Sequence, residues 1–161
     1  MRASPALLAL QQAQATCLLH RQALAEALDD LSKHTLESMD REHLEKEDRR
    51  LLDQFAYRYT RLQDDMGARL MPAALLSLGE EVAAMSVLDR LNRLEQLGWL
   101  LSADEWAELR RIRNEFAHDY PETAKERRER LQLAVESARR VLEVLAGFQE
   151  RIEQRFPASH A

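Results

Sequence analysis

Glycine and proline are scarce in this chain. Four of each occur in 161 residues, about 5% together against roughly 12% in average usage. A β-sandwich or small barrel needs turn residues every 8–12 positions or so, and this sequence does not carry them. One cysteine, Cys17, excludes an internal disulfide and gives no sign of an oxidising compartment. No apolar run approaches the roughly 20 residues that cross a bilayer, so no membrane partner is expected. The N-terminus lacks a basic segment followed by a continuous apolar stretch, so no signal peptide is expected and the chain reads as cytoplasmic. The formal net charge is −5, so there is no global basic field. What remains is 45% hydrophobic and 32% charged residues, a balance that suits long amphipathic helices around one core. The expectation is a single all-α domain over 1–161, a bundle of about five helices.

The helices are legible from their stripes. Residues 6–32 carry Leu10, Cys17, Leu24 and Leu31 seven apart, with Ala13 and Ala27 between, which predicts a long first helix with a seam for a neighbour. His20 falls on that seam and reads as a core-edge histidine. Residues 33–45 are polar and without a period, a connector. From Lys46 a second helix carries Leu52, Phe55, Tyr59, Leu62 and Met66 in steps of three and four. It is expected to kink or restart near Pro72 and to end around Gly79. A third helix over 84–97 places Val87, Leu91 and Leu94 on one face, with Gly98 as its stop. Ser102 and Glu105 form a capping box that starts a fourth helix, running to about His118. Pro121 starts or precedes a fifth helix to about Arg155, striped by Leu131, Val135, Ala138, Leu142, Leu145, Phe148 and Ile152. Residues 157–161 read as a frayed tail.

Charge is uneven along the chain. Acidic residues crowd 29–53, whereas Arg110, Arg111, Arg113, Lys125, Arg127 and Arg128 fall within 110–128. A polyanion belongs at the second cluster. Arginine outnumbers lysine 20 to 3, which fits either bidentate phosphate recognition or the codon bias of a GC-rich genome.

The fourth helix holds one anomaly. Its stripe runs Trp106, Leu109, position 113, Phe116 and Tyr120, and position 113 is arginine. A guanidinium cannot lose its charge, so it needs an anion or acceptor there. Either a phosphate meets it or an acid on another helix forms a buried salt bridge. Asn114 and His118 are four apart and share a face. Tyr120 lies two beyond His118, at the helix end, as a capping aromatic or as an exposed phenol.

The string Arg113-Asn114-Glu115-Phe116-Ala117-His118-Asp119-Tyr120 resembles the R-N-x-x-x-H-x-Y signature of the HEPN superfamily, specifically its HepT-like toxins. Phe55 through Gly67 is similar to the second-helix segment of that group. Leu91–Gly98 and Trp106–Tyr120 are similar to its third and fourth helices, about half the chain in all. The resemblance implies an antiparallel, up-down HEPN-like bundle that dimerises and a metal-independent endoribonuclease. The resemblance further implies the toxin of a type VII-like toxin–antitoxin pair, with a cognate minimal nucleotidyltransferase as partner. It implies Arg113, Asn114 and His118 as catalytic residues and RNA, with tRNA among the candidates, as substrate. Tyr120 is then the residue to which the partner transfers AMP, using ATP and Mg²⁺; the chain itself needs no cofactor. Arg58, Arg61, Gln63, Asp64, Arg110 and Arg111 are the expected RNA- or partner-binding residues.

The chemistry is sensible on its own terms. A histidine titrating near pH 6.5 can act as base and acid around neutrality. Arg113 can hold non-bridging phosphate oxygens, and Asn114 can orient His118 or bind the phosphate. Attack by a ribose 2′-oxygen needs no metal and leaves a 2′,3′-cyclic phosphate. Residues five apart on a helix point about 140° from each other. Arg113 and His118 therefore meet on one phosphate if the helix unwinds near Ala117 or if two subunits share a cleft, and the resemblance favours the second.

Other readings stay open. The octad can serve a non-catalytic subunit that binds nucleotide or its nucleotidyltransferase partner. Glu115-x-x-His118 matches a di-iron ligand pair, but its nearest counterpart is Asp40-x-x-His43 in the connector, so no metal site is expected. Adjacent Asp64 and Asp65 diverge around their helix and do not form an acid pair. Arg58, Arg61 and Asp65 share a polar side, either a solvated face or the rim of a cleft.

Overall fold

Four helix starts among the described residues carry a side-chain cap, at Ser4, Ser86, Ser102 and Thr123; the Ser4 hydroxyl accepts the Leu7 N–H at 3.2 Å ahead of Pro5. The computed structural model describes residues 4–34, 45–118 and 123–157. Among them the order is α1 (Pro5–Ser32), α2 (Lys46–Asp65), a π turn (Met66–Leu70), α3 (Met71–Ser77), a 3₁₀ turn (Val82–Ala84), α4 (Val87–Gln96), α5 (Ala103–His118) and α6 (Ala124–Arg155). No strand occurs among the described residues, and α2, the π turn and α3 form one continuous rod. The fold is an all-α bundle of five rods. No helix of the described residues is long and apolar enough to cross a membrane.

Where a kink or restart is expected near Pro72, the structure has a π turn one turn earlier. The π turn Met66–Leu70 precedes Pro72, which sits in the first turn of α3. Proline has no N–H to continue the ladder and its ring crowds the carbonyl four residues earlier, so the chain widens before reaching it. The third predicted helix also starts later. Residues 82–84 are a separate 3₁₀ turn, and Ser86 caps α4 in a reciprocal box with Asp89. Val87 therefore falls in the first turn and is 70% exposed, so it does not join Leu91 and Leu94 in the core. Gly98, at φ +78°, ends α4 in the left-handed region as expected.

Three neighbouring pairs, α1 with α2, α2 with α5 and α5 with α6, run antiparallel. His34 lies opposite Asp48 and His20 opposite Asp65 along α1 and α2, and Arg69, Pro72 and Ala73 meet Ala9 and Ala13 further on. Trp106 stands beside Gly67, while Phe116 reaches Phe55 and Tyr59, so α5 runs back along α2. Arg140 meets Glu105 and Arg130 meets Glu115, so α6 returns along α5. The seam of α1 is buried throughout: Leu10, Ala13, Cys17, His20, Leu24, Ala27 and Leu31. So is the stripe of α2, whose Tyr59 hydroxyl bonds Ser137 Oγ of α6 at 2.8 Å. Fully burying side chains of this size contributes about 1.5–3 kcal/mol each.

Candidate functional site

The octad begins on α5, and α5 is well anchored. Ser102 Oγ accepts the Glu105 N–H at 3.0 Å. The Glu105 carboxylate does not reach back to complete the capping box. Arg140 of α6 takes it instead, at 2.8–2.9 Å. Trp106, Leu109 and Ile112 are buried along the core side. Near the other end, Phe116 packs edge-on against Phe55 (5.9 Å between centroids) and Tyr59 (5.8 Å), themselves stacked at 5.5 Å. Arg130 donates to the Glu115 carbonyl at 3.4 Å, answering one carbonyl of the last turn.

Arg113 is met by an acid on another helix. Its side chain is 14% exposed, and Nη2 donates to Asp64 Oδ2 at 2.6 Å. The other oxygen of Asp64 accepts from Arg110 Nη1 at 2.8 Å. Asp64 thus grips both arginines from α2, and is itself 35% exposed. Arg113 Nη1 donates to Asn114 Oδ1 at 3.3 Å, while Nε is buried without a partner among the described residues. The salt bridge that residue-level reasoning held open for Arg113 is present, and its partner is Asp64.

Arg113, Arg110, Asn114 and His118 follow one another around α5 from the core edge to solvent. Asn114 and His118 are exposed on one face. The helix is regular through Ala117 to His118, so it does not unwind there, and Arg113 and His118 stay about 140° apart. Convergence of the two on one phosphate is therefore not set up by the helix backbone alone. Arg111 also faces solvent, and Glu108 and Glu115 of its own helix hold it, the Glu108 hydrogen bond raising its pKa most. Tyr120, like Asp40 and His43, lies outside the described residues. Among the described residues no group of three or more His, Cys, Asp or Glu side chains could hold a metal ion.

On α2 the expected surface divides. Arg61 is exposed and Arg58 half-buried. Gln63 is fully buried, with neither amide atom partnered among the described residues, so it does not lie on that surface. Asp65 is also buried rather than on a solvated face. It accepts from His20 Nε2 at 3.1 Å, and His20 Nδ1 faces Arg58 Nη1 at 3.0 Å. Since Arg58 can only donate, His20 is neutral with its proton on Nε2. Asp64 and Asp65 do diverge, one toward α5 and the other toward α1. Sequence reasoning missed this network because a lone histidine and an adjacent acid pair carry no marker of their 45-residue separation closing. It also missed Tyr57, exposed beside His20 with the Arg58 guanidinium 5.4 Å from its ring centre.

Burial lowers the His20 pKa from 6.5; Asp65 opposes the shift, and Arg58 and Arg61 add to it. The unfolded chain therefore takes up this proton before the folded one. The stability is full above about pH 6.5 and is lost as pH falls from there toward the folded pKa, by at most about 1.4 kcal/mol per pH unit. His20→Gln keeps a donor for Asp65 and removes the titration. Its melting temperature is expected to fall less than the wild type's between pH 7 and 5; parallel curves would remove His20 as the source.

No family model, characterised protein or solved structure matches this chain.

Proposed function

We propose that this chain is a HEPN-like, metal-independent endoribonuclease, the HepT-like toxin of a type VII-like toxin–antitoxin pair. The observation that carries the reading is the disposition of its octad. Asn114 and His118 stand exposed on one face of an anchored helix, and Arg113 is linked to Asn114 at 3.3 Å. His118 takes the proton from a ribose 2′-hydroxyl or gives one to the leaving 5′-oxygen. Arg113 and Arg110 hold the phosphate as charge develops on it. Asn114 positions His118 or the phosphate, and the exposed Arg61 and Arg111 are left to steer RNA by charge, whereas Arg58 is engaged with His20 on the side of α2 that faces α1. The angular gap between Arg113 and His118 supports a homodimer whose two octads share one cleft. Such a pairing doubles the local basic charge, against a net −5 per chain. The test is cleavage of RNA by the purified protein in EDTA.

Control is assigned to Tyr120. Its phenol oxygen gives up its proton and attacks the α-phosphate of ATP in the partner nucleotidyltransferase, pyrophosphate leaves, and AMP is joined to the tyrosine, two positions beyond His118 in the chain. The added bulk and charge exclude RNA. Tyr120→Phe is expected to keep cleaving while escaping modification. Mass spectrometry of protein co-expressed with its partner decides this: a silenced complex with unmodified Tyr120 would mean neutralisation by masking.

One observation favours the second reading, a non-catalytic subunit that binds nucleotide or partner. The charge of Arg113 is already answered by Asp64 at 2.6 Å. RNA left intact in the EDTA assay would favour that reading.

A further inference from the structure

Arg110 and Arg113 present two guanidinium groups, one helical turn apart, to a single carboxylate. The arrangement has the form of a phosphate site with its anion supplied from within. Asp64 offers one oxygen to each, Oδ1 to Arg110 at 2.8 Å and Oδ2 to Arg113 at 2.6 Å. A phosphate would meet the same two donors through two of its oxygens. Asp64 is still 35% exposed, so the meeting point of the three side chains is open to solvent. Arg113 is only 14% exposed and its Nε is buried, so its head has little freedom to turn toward another anion. Any phosphate that uses Arg113 must come to the place Asp64 occupies.

We propose that Asp64 is an internal stand-in for a phosphate: it holds Arg110 and Arg113 in a preformed two-pronged arrangement and offsets one of their two positive charges until a phosphate-bearing ligand displaces it. This deepens the reading of the octad as a phosphate-handling site and rests on it only for RNA as the ligand. Two consequences follow from charge alone. Without Asp64 the arginines repel each other, and Arg113 is a largely buried, uncompensated charge, so the fold loses stability. The same loss removes the competitor of an incoming anion, so anions bind more tightly and return the lost stability by mass action. A carboxylate with a merely structural role shares the first consequence and lacks the second.

The experiment is thermal unfolding of the wild type, Asp64→Asn and Asp64→Ser over a series of inorganic pyrophosphate concentrations, with sulfate-free buffer as reference. Both variants are expected to melt below the wild type without pyrophosphate. Both should then gain more from it than the wild type does, with an apparent affinity at least about tenfold higher. Adding Arg113→Ala to Asp64→Asn should abolish that gain. If a variant does not fold in buffer alone, refolding on addition of pyrophosphate is the supporting result, and failure to refold overturns the proposal. Equal responses of wild type and variants also overturn it. A short RNA in a parallel binding series separates the two claims. A pyrophosphate gain without RNA binding keeps the stand-in and removes the RNA reading, whereas His118-dependent RNA cleavage with no pyrophosphate gain does the reverse.

Discussion

On the proposed ribonuclease reading, His118→Ala is expected to lower RNA cleavage by about 10²–10⁴-fold, and Arg113→Ala by at least as much. The two losses have different physical origins. His118 is the exposed last residue of α5, so truncating it removes a proton carrier while stability changes by no more than about 0.5 kcal/mol. Arg113 is an electrostatic group at the core edge, paired with Asp64. Its removal takes a guanidinium from the phosphate and also leaves Asp64 with Arg110 alone. A gel assay with circular dichroism on each variant checks both statements. Full activity in His118→Ala, with the wild type active, would move the chemistry elsewhere on the molecule.

Phe116→Ala is expected to weaken the same site although Phe116 itself is given no role toward RNA. Its ring is partly buried and packs edge-on against both Phe55 and Tyr59, which pin the last turn of α5 to α2. Deleting it leaves a void beside two fully buried rings and should cost about 2–3 kcal/mol. That corresponds to a melting temperature lower by roughly 4–10 °C for a chain of this length. With the last turn loosened, Asn114 and His118 lose their fixed disposition, so cleavage should fall at temperatures where the variant is still folded. Unchanged stability and activity would mean that the aromatic cluster does not support the site.

Much of this architecture was written in spacing. The buried stripe of α2, the seam of α1, the start of α5 at Ser102 and the stop at Gly98 all follow from local rules. Periodicity and capping act within a turn or two of the residue concerned. What escaped was set by distance. Nothing local to Asp64 marks it as the partner of Arg113, 49 residues away. Nothing local to Asp65 marks it as buried against His20. Gln63 looks as polar as its neighbours and is fully enclosed. Val87 fits an apolar stripe and is exposed, as is Leu88 beside it, in the first turn after the Ser86 cap. An interruption near Pro72 was expected, but not the π turn ahead of it, since a π turn is a backbone response to the proline rather than a residue preference. Within the candidate site, the octad was legible as a string. That Arg113 is paired with Asp64, and that α5 stays regular through Ala117, became visible only in three dimensions.

The most direct measurement is the chemistry of the cut ends. RNA is incubated with the purified protein in EDTA, and the products are separated and their termini identified. Attack by the 2′-oxygen, with His118 moving the proton, predicts 2′,3′-cyclic phosphate and 5′-hydroxyl ends that are absent with His118→Ala. Intact RNA, cleavage that stops on adding EDTA, or the same cyclic ends produced by His118→Ala would contradict it.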